Sequence, residues 1–252
     1  MSTYSLFTFA AAAASLAVGV ATVEGAAVTY TIVPSQSTLN LSGFYSGSSF
    51  GSQTAGSLST TYSGTIAADR TASGITFTGG SAVDAADKTT RQAPGREGDA
   101  GDTDFANYGI TFGANFSNYV GAARDFILDL NSASLPVSGG GTFAANTIDY
   151  TADSGVLQVE LNGGGNFDSE SFVGNVGNNQ ATSNGTVTTA GGVETLTLPV
   201  NTYFLFSGFG EFDSSFRLSG TLVATRNVVV PEPMGLSALA AAGLLLSRRR
   251  RA

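Results

Sequence analysis

Along most of this chain, large apolar residues alternate with polar ones. From Val28 the run VTYTIVPSQSTLNLSG sets Tyr30 and Ile32, then Leu39 and Leu41, on every second position, the period of a strand with one buried face. Pro34 has no amide to give a sheet ladder and so predicts a break between two strand pieces. The alternation returns in SLSTTYSGTIAAD, GITFTGGSAVDA, YGITFGANFS, RDFILDLNSASLPV, TIDYTADSGVLQVELNG, ETLTLPVNTYFLFSGFGEF and SSFRLSGTLVATR, with clusters of Gly, Asn, Asp and Ser between. Short strands separated by turn signals, with no helix-length 3.6-residue pattern, predict an all-β fold: a single antiparallel β-sandwich or barrel. Two stretches break the rhythm. DAADKTTRQAPGREGDAGDTD, residues 84–104, predicts a long exposed loop, and the Gly-, Asn- and Thr-rich residues 163–192 predict a second loop or a weak edge hairpin.

The two ends follow other patterns. An apolar stretch from Leu6 to Val20 followed by small residues has the layout of a secretory signal helix. Gly25-Ala26-Ala27 offers a cleavage site between Ala27 and Val28, with the bond after Ala21 as the runner-up; the segment departs from the usual layout in having no Lys or Arg before its apolar stretch. At the far end Pro231-Glu232-Pro233 is followed by an apolar run from Met234 to Leu246 and then by Arg248, Arg249, Arg250 and Arg251. As a helix that run would be about 20 Å long, short of the ~30 Å hydrocarbon core, so it predicts a short anchor helix that spans only with help from snorkelling arginines. Arginines behind an apolar run stay on the cytoplasmic side and leave the preceding domain outside. The expected organisation is a signal peptide over 1–27, an antiparallel β domain over 28–230 and a C-terminal signal over 231–252.

The order Pro231-Glu232-Pro233, short apolar helix, terminal arginine cluster resembles the PEP-CTERM sorting signal of exported bacterial proteins. The resemblance covers about a tenth of the chain. It implies delivery by the general secretion machinery, transient anchoring in the inner membrane, processing near Pro231, Glu232 and Pro233 by a membrane-embedded exosortase, and a final place at the cell surface or in extracellular, biofilm-type matrix. Arg248 to Arg251 would act as the topological stop, and extracellular polysaccharide is an implied partner.

Composition narrows the chemistry of the body. The chain has no His and no Cys, which excludes Ser-His-Asp triads, cysteine nucleophiles and imidazole or thiolate zinc sites. Net charge is −8; without Glu24, Glu232 and the four terminal arginines the body holds 17 acidic against 7 basic residues, a balance of −10. Such a surface repels nucleic-acid phosphates and anionic headgroups, so no nucleic acid is expected, and a membrane only through the terminal segments.

Three constellations remain. Asp99, Asp102 and Asp104 supply hard oxygens suited to calcium, with Asp84 and Asp87 as additional candidates, although the spacing is not that of an EF-hand. Glu211 and Asp213, two apart on an aromatic-rich segment, are the carboxylate pair to test for glycan cleavage, with Tyr203 and nearby Phe residues standing in for a tryptophan platform. The opening Tyr30-Thr31-Ile32-x-Pro34-x-x-Ser37, with TTYSGTIAADRTASGITFTGGSAVDA and DFANYGITF, is similar in rhythm to YceI-like proteins. That likeness implies an eight-stranded barrel holding a polyisoprenoid-type lipid among apolar side chains. The 17 Phe suit such a pocket or a filled core equally. The expected function is structural or adhesive and non-enzymatic, without a cofactor other than the calcium considered above; a lipid-binding barrel and a carboxylate-based glycan enzyme are the alternatives.

Overall fold

The computed structural model describes residues 25–45, 47–87, 106–114, 117–161, 167–206 and 214–228. The fold is all-β and antiparallel. Seventeen strands of the described residues join in one sheet: β1 (Ala26–Ile32), β2 (Thr38–Tyr45), β3 (Ser48–Ser49), β4 (Gly51–Ser52), β5 (Ser59–Arg70), β6 (Gly74–Phe77), β7 (Ala82–Ala85), β8 (Tyr108–Ala114), β9 (Ser117–Asn131), β10 (Leu135–Pro136), β11 (Thr142–Phe143), β12 (Asp149–Leu161), β13 (Phe167–Ser171), β14 (Val176–Asn178), β15 (Gly185–Ala190), β16 (Val193–Phe206) and β17 (Ser214–Asn227).

Several of these are pieces of one line. β1 and β2 both lie between β5 and β17. From Thr31↔Thr65 to Thr38↔Thr61 the chain advances seven residues against four on β5, and the three-residue excess is the 3-10 turn Pro34–Gln36. The break expected at Pro34 is therefore an excursion out of a continuing line. In the same way β6 and β7 share β5 as a neighbour, β11 and β12 are separated by the turn Ala145–Thr147, and β14 and β15 follow one another along β16.

Counted as lines, the order is β1/β2, β5, β6/β7, β9/β10, β11/β12, β14/β15, β16, β17, each paired with the line that precedes it in the chain. β17 then pairs with β1 and β2, and the circuit closes. Between β14 and β16 the contact narrows to the bridge Asn179↔Thr202 and the bond from Gln180 N to Asn201 O at 2.7 Å. Buried Asn179 holds this join with four bonds: its amide donates to Ala145 O and Pro199 O, both at 2.9 Å, and its Oδ1 accepts from Asn201 N at 2.8 Å and Ala181 N at 3.2 Å.

Residues 163–192, read as a loop or weak edge hairpin, instead supply β13, β14 and β15, and the last two complete the ring. Of the expected loop over 84–104, Asp84 and Ala85 end β7, and residues 88–105 lie outside the described residues.

The inward rows form one apolar cluster. On β16 that row is Leu196, Leu198, Val200, Thr202 and Phe204, all buried. Phe126 is a hub, with ring centroids 5.1 Å from Phe172, 5.8 Å from Phe216 and 5.9 Å from Phe204. Tyr30, Tyr62, Tyr108, Tyr150, Phe77, Phe126, Phe172, Phe204 and Phe216 are each less than 2% exposed, so their neighbours seal them on all sides.

Candidate functional site

The apolar rows end in charge where the chain enters and leaves the ring. On β16 the inward position before Leu196 is Glu194; on β17 the one after Ala224 is Arg226; on β5 the one after Ala68 is Arg70; and Tyr30 stands inward on β1. Register places Glu194 directly opposite Arg226. The Tyr30 hydroxyl donates to Glu194 Oε1 at 2.6 Å, Arg226 Nε donates to the same oxygen at 2.7 Å, and Arg70 Nε lies 3.6 Å from Oε2. The Arg226 guanidinium sits over the Tyr30 ring, 5.4 Å from its centroid. Arg70 Nη1 also donates to Thr71 O and, at 2.9 Å, to Gly74 O, tying the cluster to the β5–β6 turn.

Burial pushes the Glu194 carboxyl up, but the bonds from Arg226 and Tyr30 and the charges of Arg226 and Arg70 outweigh it and hold the group below its usual range. Burial, reinforced by Glu194, raises the Tyr30 phenol. An ionised carboxylate occupied by two donors is a poor general base, and a phenol held neutral is a poor acid at neutral pH. The cluster is a clasp across four neighbouring lines rather than a reaction centre.

Outside the clasp the seam is partly open. β1 pairs with β17 only at Thr31↔Thr225 and Ile32↔Ala224, whereas β1 stays paired with β5 back to Ala26 and β17 with β16 out to Asn227. The two strands part around a polar cleft of about 440 Å³ lined by Ala27, Val28, Thr29, Thr225, Arg226 and Asn227. The candidate cleavage residues Ala27 and Val28 thus lie within β1, opposite Asp69 and Ala68.

Pro231, Glu232, Pro233, Arg248, Arg249, Arg250 and Arg251 lie outside the described residues, as do Asp99, Asp102, Asp104, Glu211 and Asp213. Among the described residues no helix is long and apolar enough to cross a membrane, and no three acidic side chains are grouped to hold a metal ion. Asp87 Oδ1 accepts from the Asn107 amide at 2.9 Å, while the Asp84 carboxyl, on the exposed face of β7, is pushed above its usual range by partial burial and by the charge of Asp125. Tyr203 is on the outer face of β16, with the Arg217 guanidinium 5.1 Å from its ring centroid.

No family model, curated protein or solved structure matches the chain.

Of the clasp, the sequence motifs single out Tyr30 alone and miss Glu194, Arg226 and Arg70. Their signal is a charged residue on the apolar register at a strand end, Glu194 two before Leu196 and Arg226 two after Ala224.

Proposed function

We propose that the chain is an exported, non-enzymatic surface or matrix protein. Its β domain is a filled up-and-down barrel, carried between a signal peptide and a PEP-CTERM-like sorting segment. The observation that carries the reading is the ring's closure: the first and last lines are neighbours, so β1 begins and β17 ends at the same end of the ring, where the Glu194 clasp joins them. A domain held at one end by a terminal anchor keeps its remaining surface free for structural or adhesive contact.

The ring of eight lines also favours the lipid-binding alternative, since closed meanders of this size can hold one small ligand. Packing weighs against it: nine inward aromatic side chains, each less than 2% exposed, occupy the volume a polyisoprenoid would need. The glycan-enzyme alternative rests on Glu211 and Asp213 and gains no support from the clasp, whose carboxylate is already engaged.

Cleavage after Ala27 would remove the pairs Ala26↔Arg70 and Ala27↔Asp69 from β1, whereas cleavage after Ala21 keeps the strand whole. The fold therefore favours the runner-up site. Intact-mass spectrometry of the protein from native envelope and matrix fractions, with lipid extraction of the same sample, tests the reading. A mature chain lacking Arg248 to Arg251 and free of stoichiometric lipid supports it. A retained arginine tail sinks the sorting route, and bound polyisoprenoid puts the lipid barrel first.

A further inference from the structure

The narrow join between β14 and β16 leaves a cleft of about 410 Å³ on the outer face, lined by Val176, Asn178, Gln180, Tyr203 and Leu205. One wall is aromatic and aliphatic: the Tyr203 ring beside Leu205, which is 73% exposed. The other, from the β14 side, carries Val176, 56% exposed, and the amides of Asn178 and Gln180. The Gln180 side chain and the Tyr203 hydroxyl have no hydrogen-bond partner among the described residues. Asn178 spends one amide proton on Asp149.

Arg217 reaches the Tyr203 ring from β17, the line on the opposite side of β16 from β14. Its Nε donates to Asn201 Oδ1 at 2.7 Å, which holds the guanidinium over the ring.

A flat ring flanked by exposed aliphatic groups and faced by the unpaired Gln180 amide and the partly engaged Asn178 amide is complementary to a molecule that is apolar on one face and hydroxylated at its rim. A pyranose has that shape and chemistry. The charge of the body, −10 over residues 28–230, disfavours a polyanion. We propose that this cleft binds a sugar unit of a neutral glycan, with Tyr203 as the stacking surface, Gln180 and Asn178 as hydroxyl partners, and Arg217 as a positioning residue. The inference deepens the adhesive reading above and rests on it for the presence of glycan around the protein.

Affinity electrophoresis of the mature full-length chain in gels cast with laminarin, xylan or dextran, and in a parallel gel with alginate, reads it directly. Retardation by at least one neutral glycan is expected. Tyr203→Ala should weaken it about tenfold, Tyr203→Phe should keep most of it, and Gln180→Ala should fall between, all with unchanged thermal melts because these side chains lie on the surface. No retardation in any neutral gel, retardation by alginate alone, or retardation indifferent to Tyr203→Ala would each overturn the proposal. Mass spectrometry of the same sample separates the two readings: a processed, exported chain that binds no glycan loses only this site, whereas an unprocessed chain that binds loses only the sorting route.

Discussion

Replacing Glu194 by Gln tests the clasp while keeping its shape. Gln can still meet the Tyr30 hydroxyl, but it leaves Arg226 and Arg70 without a countercharge, with side chains only 21% and 13% exposed. A hydrogen bond to a charged group contributes about 1.5–3 kcal/mol, and orphaning a charge in a fully buried pair costs about 3–5 kcal/mol. Because both arginines keep some water, the expected loss is about 2–4 kcal/mol at pH 7, or roughly 4–16 °C in melting temperature for a domain of this size. The loss should depend on pH with a definite sign. Glu194 is held below its ordinary value of 4.5, so its contribution is fully present above that value and disappears as pH falls through the lower folded one. Urea unfolding followed by far-ultraviolet circular dichroism should therefore show the two proteins converging as the solution is acidified. Removing Arg226 as well should recover part of the loss, since the orphaned charge goes with it. A difference below about 0.5 kcal/mol at pH 7, the level of an ordinary surface substitution, or one that persists unchanged in acid, would refute the clasp.

Tyr62, Tyr108 and Tyr150 have phenols raised by burial, so their stability contribution is complete below the unfolded value of 10.0 and lost above it. Three such groups give a slope of about 4 kcal/mol per pH unit, so phenolate absorbance and loss of dichroism should appear together; phenolate formation near pH 10 in an intact fold would contradict this. Gly64 has φ +98°, and a Cβ there would meet Ala82 O at 1.9 Å, so Gly64→Ala should cost several kcal/mol, about 3 or more, in a chemical melt. Phe126→Ala removes the hub of the aromatic core and should cost about 3–5 kcal/mol, with a smaller loss for Phe126→Leu. N-terminal sequencing of the mature protein should find a first residue before Ala26, because a start at Val28 would shorten β1.

The sequence made the long strands legible because one face of each meets the core. SLSTTYSGTIAAD contains nearly all of β5, and Thr60, Tyr62, Ile66 and Ala68 are its buried positions as the alternation requires. The failure over 163–192 has the same cause in reverse. β14 buries only Gly177, whose missing side chain is what lets it approach Thr202, and β15 buries Gly185 and Val187. A strand that closes a ring through its backbone needs few large apolar residues, so hydrophobic period does not reveal it. The choice between a filled core and a lined pocket was also beyond composition, since the same Phe residues serve either; it depends on Phe126, Phe172, Phe204 and Phe216 meeting across the interior.

The meander also decides where each feature can act. Because each line pairs with its predecessor and the eighth returns to the first, β1 begins and β17 ends beside the clasp. β16 then runs away from that end, and Tyr203 lies nine residues beyond Glu194, about 30 Å along a strand at ~3.3 Å per residue. A tether at the chain ends would thus hold the polar seam close to its attachment and leave the Tyr203 cleft on the far half of the barrel. The filled interior gives this arrangement its stiffness: a hollow barrel could bend between the two ends, whereas interlocked rings transmit position from the clasp to the cleft. Adhesion at a fixed distance from an anchor is a task for which a packed core is an advantage and an internal ligand pocket is not.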